Sequence, residues 1–146
     1  MVLFLVRRNT PLSADEAWRR LTVWERHAEV VPLTRVRVVT LPPRGAGTVF
    51  VARTGVGPVA FDDRMEVVVW RPPHHGAPGL CRLVKRGRPV VGWAEIEVRP
   101  EPGGGAQVVW REELGVRGLP RVFDPLLERA GRWMFGRAVK GLLTRP

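Results

Sequence analysis

The sequence predicts an α+β domain in which a curved, seven-stranded antiparallel sheet is covered by one long C-terminal helix. Seven runs have the valine-rich character of strands, and Pro or Gly clusters separate the last six from one another. The longest amphipathic helix candidate comes after them, from about Asp124 to Leu143. In a single domain this helix can bury its apolar side only against the sheet. A curved sheet closed by one helix often leaves a hollow, and hollows bind ligands.

Before the long helix, the sequence predicts one strand, two short helices and six further strands, in that order. The chain opens with a strand from Val2 to Arg8. A capping-box pattern at Ser13 opens a short helix that ends at Leu21, and a second such pattern at Thr22 precedes another short helix that ends ahead of Pro32. Two short helices side by side form an elbow. The other six strands are predicted at Thr34 to Leu41, Gly47 to Thr54, Ala60 to Arg71, Leu80 to Arg86, Val90 to Arg99 and Gln107 to Val116.

The long helix is predicted from its first residues and its apolar spacing. Asp124 is a good N-cap and Pro125 suits the first helical position. Gly131, Gly136 and Gly141 interrupt the helix, and each costs about 1 kcal/mol relative to alanine. Either these glycines allow close packing or a mild bend, or they leave volume for a ligand. The helix is expected to bury Phe123, Leu126, Leu127, Trp133, Met134 and Leu142.

Strand alternation predicts which side chains face the helix. Met65, Val67 and Val69 alternate with polar residues and should face inward. Inward positions on the later strands are Cys81, Leu83, Ala94, Ile96, Val98, Val108, Trp110 and Leu114. Outward positions carry both signs of charge, so that cross-strand pairs such as Glu95 with Arg111 are expected, each worth up to about 1 kcal/mol. The outward set is Arg82, Arg86, Glu95, Glu97, Arg111 and Glu113.

Two carboxylates fall on the inward side. Glu112 lies in the inward register of the last strand, where an unpaired ionised carboxylate costs several kcal/mol. It therefore needs a partner, such as a salt bridge to an arginine, or a cavity in which it faces a ligand. Asp63 lies nearer a strand end, and a tight hairpin at Gly55 to Pro58 would place it opposite Phe50. Both interpretations stay open for both residues.

The length, charge and cysteine content of the sequence indicate a single domain without a disulfide or a transmembrane segment. The 146 residues suit one domain spanning 1–146. Its 22 arginines and two lysines give a net charge of +10, but they are scattered without a run of five, which predicts no sequence-specific binding to nucleic acid. The single cysteine, Cys81, forms no intrachain disulfide. The apolar start from Val2 to Val6 is too short for a transmembrane segment, so the expected location is cytoplasmic.

Other motifs add little chemistry. His74 and His75 lie in a Pro/Gly-rich turn without a carboxylate or cysteine at ligand spacing, so no metal is expected. No dinucleotide fingerprint, phosphate loop or serine-hydrolase elbow occurs, and no cofactor is expected. His27 follows Trp24 by three positions; it is either a packed or capping residue, or a polar ligand contact or general base.

The order of elements, together with the segment from Trp24 to Pro32, resembles the START-like (SRPBCC) helix-grip superfamily of polyketide cyclase/dehydrase and lipid-transport type. Gly55-Val56-Gly57-Pro58 and Gly92-Trp93-Ala94-Glu95 contribute to the resemblance, which covers Val2 to Leu143 and includes no catalytic signature. It implies a hydrophobic cavity between the sheet and the last helix, used by members for lipids, isoprenoids, polyketides or plant hormones. A minority of members catalyse cyclisation or dehydration, and no metal is obligatory.

The sequence therefore predicts a carrier that encloses one small hydrophobic ligand. The alternative is a polyketide or terpenoid cyclase or dehydratase in which Glu112, Asp63 or His27 moves protons. A second alternative is a basic surface module for an anionic membrane or nucleic acid. The residues predicted to bind the ligand are Trp24, Phe50, Phe61, Met65, Val67, Ile96, Trp110, Phe123, Leu127, Ala130 and Met134.

Overall fold

The computed structural model describes residues 1–145 and has the predicted order of elements. The strands are β1 (Val2–Thr10), β2 (Thr34–Val38), β3 (Val49–Val56), β4 (Val59–Arg71), β5 (Gly79–Lys85), β6 (Val90–Pro100) and β7 (Ala106–Val116). The α-helices are α1 (Ala14–Thr22), α2 (His27–Val30) and α3 (Asp124–Thr144), with 3₁₀ turns at Trp24–Arg26 and Arg121–Phe123. Every strand and both helical regions lie where the sequence predicts them.

The seven strands form one antiparallel sheet in the order β1-β7-β6-β5-β4-β3-β2. The chain's first strand pairs with its last, with Val2 opposite Leu114 and Thr10 opposite Ala106. All other neighbours in the sheet are consecutive hairpins. Because β1 and β2 stand at opposite edges, the elbow that joins them must cross the concave face. It thereby covers the same face that α3 covers.

The first helix of the elbow is capped as predicted, and the second is not. The Ser13 hydroxyl accepts a hydrogen bond from the Glu16 N–H at 3.2 Å. The predicted cap at Thr22 is wrong, because this residue still belongs to α1 and its hydroxyl donates to the Trp18 carbonyl at 2.7 Å. The chain continues instead through the 3₁₀ turn Trp24–Arg26 into a single turn of α-helix.

The beginning of α3 also differs from the prediction. Asp124 has helical backbone angles and follows the 3₁₀ turn Arg121–Phe123, so it lies inside the helix and is not its N-cap. The helix packs mainly along β1. A Cβ atom on Gly131 would lie 2.7 Å from Cε1 of Phe4, and one on Gly141 would lie 2.7 Å from Val30. These two glycines therefore allow close packing, and the volume interpretation is wrong for them.

The contact of Gly131 with Phe4 fixes which side of α3 faces the sheet. Leu126 and Trp133, five residues before and two after this glycine, then point away from the sheet and are 65% and 62% exposed. Phe123 is 45% exposed. The prediction that these three side chains are buried is wrong. The residues of α3 that are buried are Gly131, Ala138, Val139, Leu142 and Leu143.

Strand alternation holds with one exception. The pairing of β4 with β5 shifts between Val67 and Val69, so that Val68 is an extra residue, a β-bulge. Beyond the bulge the alternation is reversed. Val69 lies opposite Arg82 on the outer face, and Trp70 lies opposite Cys81 on the inner one. The predicted inward orientation of Val69 is therefore wrong.

The β3–β4 hairpin is shifted by two residues from the predicted register. Its turn consists of Gly57 and Pro58 alone, with Val56 opposite Val59. Asp63 consequently lies opposite Ala52, whereas Phe50 lies opposite Met65. A shift by two keeps every side chain on its predicted face.

The outer face of the sheet carries the expected array of ion pairs. Glu95 lies opposite Arg111, with 3.9 Å between their charged atoms, and Arg111 also approaches Glu97 at 3.1 Å. Arg82 pairs with the other oxygen of Glu95. Much of the arginine on this face is thus neutralised by neighbouring carboxylates.

Candidate functional site

A cavity of about 240 Å³ lies between the concave face of the sheet, the elbow and α3. Its wall is mostly aromatic and aliphatic. The apolar lining residues are Trp24, Val31, Val36, Phe50, Ala52, Phe61, Met65, Leu83, Val90, Ala94, Trp110, Leu114, Val116, Leu127, Met134 and Phe135. Phe61 is 45% exposed and Val116 37% exposed, so the cavity reaches the surface between β4, the end of β7 and the start of α3.

Seven of the eleven predicted ligand-binding residues lie on this wall. They are Trp24, Phe50, Phe61, Met65, Trp110, Leu127 and Met134. Their role as ligand contacts stays a prediction. Val67 and Ile96 do not reach the cavity, because they are fully buried where other side chains fill the core. Phe123 and Ala130 are exposed on the outer side of the α3 region and are also absent from the wall.

A cluster of three charged side chains lies on the wall of this apolar cavity. The Lys85 ammonium is 2.7 Å from Oδ2 of Asp63 and 3.1 Å from Oε1 of Glu112. The indole N–H of Trp110 donates to Oε2 of Glu112 at 3.1 Å. The side chains of Lys85 and Glu112 are 3% and 2% exposed, and that of Asp63 is 15% exposed. We call these three residues the charged cluster.

Alternation along the strands brings the charged cluster together. Glu112 and Asp63 face inward as predicted, and both lie on the cavity wall. The partner of Glu112 is Lys85 and not an arginine, so that expectation is wrong. Lys85 could have been found, because it continues the inward alternation of Cys81 and Leu83 on β5. A lysine at an inward position is the signal that the sequence-based prediction missed.

The charged cluster holds one cation and two carboxyl groups. Burial raises the pKa of Glu112, and Lys85 and the Trp110 N–H only partly offset this effect. Burial alone would lower the pKa of Lys85, but the charges of Glu112 and Asp63 outweigh it and raise that pKa. The two directions are consistent, since the ammonium faces two carboxylates while Glu112 shares its single cation. The cluster therefore keeps Lys85 charged and makes Glu112 easier to protonate than an exposed glutamate.

His27 also lies on the cavity wall, and its imidazole is already hydrogen-bonded. Nε2 is 2.8 Å from the Leu21 carbonyl, and the ring packs against Trp24 and Trp110 with centroid distances of 5.6 and 5.9 Å. Burial lowers the pKa of the ring, which is therefore neutral at pH 7. A carbonyl only accepts, so the proton is on Nε2, and Nδ1 is left as an acceptor.

Several further polar groups and one aromatic residue on the wall were not predicted. The hydroxyls of Thr34 and Thr54 share a hydrogen bond of 2.8 Å. Phe135 stacks on Trp110 with a centroid distance of 5.3 Å. Among residues 1–145, Trp24 Nε1 and Asp63 Oδ1 are buried side-chain atoms without a hydrogen-bond partner. The wall therefore has unused polar capacity next to a large apolar surface.

Within 1–145, no group of three or more His, Cys, Asp or Glu side chains is arranged to hold a metal ion. His74 and His75 are exposed in their turn, away from the cavity. None of the helices in that range is long and apolar enough to cross a membrane.

Comparisons with known proteins identify the fold. No protein-family model matches the chain, and no curated protein sequence matches it. A START superfamily protein from Mycobacterium smegmatis superposes with a TM-score of 0.71 at 9% identity, covering 97% of this chain and 96% of that one. The Zhui aromatase/cyclase from Streptomyces sp. R1128 gives 0.67 at 14% identity, covering 97% and 92%. Norcoclaurine synthase from Thalictrum flavum gives 0.65 at 13% identity, covering 97% and 93%.

Proposed function

The chain has the START-like helix-grip fold, and we propose that it binds one small, mainly apolar molecule in the cavity between the sheet and α3. The observation that carries this proposal is the 240 Å³ cavity, whose wall is apolar except for the charged cluster, His27 and the two threonines. Sites for small organic ligands are concave, mostly apolar and equipped with a few polar groups that orient the ligand. This cavity has the same composition.

The volume of the cavity limits the size of the ligand. A space of 240 Å³ corresponds to the liquid volume of roughly eight water molecules. It lies just below the range of about 300 to 1,000 Å³ that is usual for drug-sized ligands. We therefore propose a molecule of one or two rings, or a short isoprenoid, and not a two-chain lipid.

The charged cluster defines the polar group of that molecule. Two of the three ammonium protons of Lys85 point to Asp63 and Glu112, and Met65 Sδ lies 3.8 Å from the same nitrogen. The unused capacity of the cluster is therefore on carboxyl oxygens, which accept hydrogen bonds. A ligand hydroxyl can donate to them, whereas a ligand carboxylate would add a third acidic group beside one cation. We propose a hydroxylated ligand, such as a phenol or an alcohol.

A single ring system carrying three different substituents tests the proposal. Naphthalene, 2-naphthol and 2-naphthoate would be titrated into the protein, with binding followed by ligand-observed NMR and tryptophan quenching. We expect 2-naphthol to bind several-fold more tightly than naphthalene, as one net hydrogen bond of about 1 kcal/mol implies. The naphthoate should bind most weakly.

Two neighbouring residues of α3 provide matched variants for this titration. Leu127 lies on the cavity wall, and Leu126 is exposed on the other side of the helix. Leu127→Trp should fill the cavity and abolish binding of 2-naphthol, while Leu126→Trp should leave it unchanged. The proposal fails if none of the three compounds binds, or if the Leu127 variant binds 2-naphthol as well as the wild type.

Glu112 favours a second candidate function, acid/base catalysis in the same cavity. A buried carboxyl with a raised pKa beside a bound substrate is the usual form of a general acid or base. One of the structures that share this fold is an aromatase/cyclase and another is a synthase, so the fold accommodates enzymes. With a polyketide or terpenoid substrate, Glu112→Gln should retain binding and lower turnover about 100-fold or more. Unchanged turnover would exclude this role.

A further inference from the structure

The solvent-facing side of α3 is apolar and basic at the same time. Leu126, Ala130 and Trp133 are exposed there, with Leu126 and Trp133 at 65% and 62%. Arg129, Arg137 and Lys140 are exposed between and beyond them. Spacings of three and four residues place all six on one face of the helix. We call this face the outer stripe: Leu126, Arg129, Ala130, Trp133, Arg137 and Lys140.

The cations of the outer stripe are not neutralised. Within residues 1–145, Arg129, Arg137 and Lys140 form no ion pair, and the Arg137 guanidinium lies over the Trp133 ring at 5.1 Å. The nearest charged pair on α3 is Arg132 with Glu128 at 2.7 Å, on the flank of the helix. On the outer face of the sheet, by contrast, Arg82, Arg86 and Arg111 pair with glutamates.

The turn before α3 extends the outer stripe toward the cavity. Leu119, Val122 and Phe123 are 39%, 78% and 45% exposed, and Arg117 and Arg121 are exposed in the same turn. This turn follows directly on Val116, which lines the mouth of the cavity. Exposed apolar side chains in such a group mark an interaction surface, because a monomer rarely leaves them in water.

We propose that the outer stripe and the turn from 117 to 123 form a docking surface for an anionic lipid membrane. Apolar side chains mixed with unpaired cations suit the boundary between lipid headgroups and acyl chains, where tryptophan also concentrates. A second copy of the chain would bring the same cations against its own, at a net charge of +10 per copy. Nucleic acid would use the cations and leave Leu126 and Val122 without a role.

Flotation with vesicles tests the docking surface. The intact protein would be mixed with vesicles of phosphatidylcholine alone and with vesicles that also contain phosphatidylglycerol, at low and physiological salt. We expect flotation only with the anionic vesicles and weaker binding at higher salt, since each cation near such a surface contributes about fivefold. Failure to float with anionic vesicles at low salt would overturn the proposal.

Two pairs of variants locate the surface. Arg129→Gln with Arg137→Gln should weaken vesicle binding by about thirtyfold, whereas Arg35→Gln with Arg37→Gln on β2 makes the same change in net charge and should have little effect. Trp133→Ser should weaken binding further at high salt, and Trp93→Ser on the sheet, where Arg82 lies over the ring, should not. Circular dichroism checks that each variant is folded.

Other outcomes identify a different partner. Equal losses in the β2 and α3 arginine variants would mean that net charge alone drives binding, and the docking surface would be wrong. Association of the protein with itself that Trp133→Ser abolishes would assign the stripe to a dimer interface. Tighter binding to single-stranded DNA than to anionic vesicles, unaffected by Trp133→Ser, would assign the cations to nucleic acid. Each of these results overturns the membrane proposal while leaving the cavity proposal intact.

Discussion

The concave face of the sheet has a solid end and a hollow end, and the same strands build both. At the solid end, Cys81, Ile96, Val98 and Val108 are completely buried, and burial raises the pKa of the Cys81 thiol to about 12. At the hollow end, the charged cluster lies on the wall of a 240 Å³ cavity. On β5, the inward side chains change from Cys81 to Lys85 within four residues.

What covers each end explains the difference. Trp18 of α1 meets Trp70 edge-on at 5.2 Å across from Cys81, and the last turns of α3 add Val139 and Leu142 to the core. The hollow end is covered by Leu127 and Met134, which are only half-buried. Apolar packing is therefore complete at the solid end and incomplete at the hollow end, where the cavity lies. We infer that side chains at the solid end contribute more to the free energy of unfolding. Mutations at the two ends should differ accordingly.

The largest effect is expected from Lys85→Met at the hollow end. The change leaves the buried Glu112 and the partly buried Asp63 without their cation, which should lower the free energy of unfolding by about 3 to 5 kcal/mol at pH 7. Urea unfolding would measure it. Because burial raises the pKa of Glu112 and favours its neutral form, the loss should shrink as the pH falls.

The second lysine of the chain is the matched control for this experiment. Lys140 is exposed on α3, and Lys140→Met should change stability by less than about 0.5 kcal/mol. Equal stability of the two variants would show that the charged cluster does not contribute to the fold. The charged side chains at the hollow end would then make no measurable contribution to the free energy of unfolding.

Truncating an apolar side chain to alanine should have an intermediate effect on stability, and this effect should be larger at the solid end than at the hollow end. Ile96→Ala at the solid end should cost about 2 to 5 kcal/mol, because its neighbours cannot close the space. Met134→Ala at the hollow end should cost no more than about 1.5 kcal/mol, since this half-buried side chain already borders a cavity. Thermal and urea unfolding would compare them. Similar costs would mean that the cavity closes in solution.

Among the substitutions on the cavity wall, Glu112→Gln is expected to change stability least. The change keeps the shape of the side chain, and Lys85 keeps Asp63, so stability at pH 7 should change by no more than about 1 kcal/mol. If the variant unfolds, Glu112 is half of a structural ion pair, and both functional roles proposed for it are wrong.

The pH dependence of this variant has a definite sign. Because the folded-state pKa of Glu112 lies above its ordinary value of 4.5, the folded protein binds this proton more tightly than the unfolded chain does. The stabilisation is complete below about pH 4.5 and is lost as the pH rises through the raised pKa. The free energy of unfolding of the wild type and of Glu112→Gln would be measured between pH 4 and 8. The difference between them should change in favour of Glu112→Gln as the pH rises. A constant difference would contradict the raised pKa.

Local patterns were sufficient to predict the elements and much of the site. Valine-rich runs, a capping box at Ser13 and a long apolar periodicity predicted the strands and helices, because backbone propensity and alternation act within a few residues. Alternation also placed Glu112 and Asp63 on the inner face. Two pairing registers that differ by two residues leave every side chain on the same face, so alternation cannot distinguish them. The predicted β3–β4 register is therefore wrong by two residues.

The sequence by itself determined the order of the elements, the inward alternation and the presence of a buried carboxylate that needs a partner. Only the tertiary structure decided that this partner is Lys85, two strands away in the sheet, with Ala94 of the strand between them directly opposite Glu112. It also decided the rotation of α3, through the contact of Gly131 with Phe4, and so left Trp133 in solvent. Both outcomes depend on side chains from distant parts of the chain meeting in space, and periodicity within one segment carries no information about such contacts.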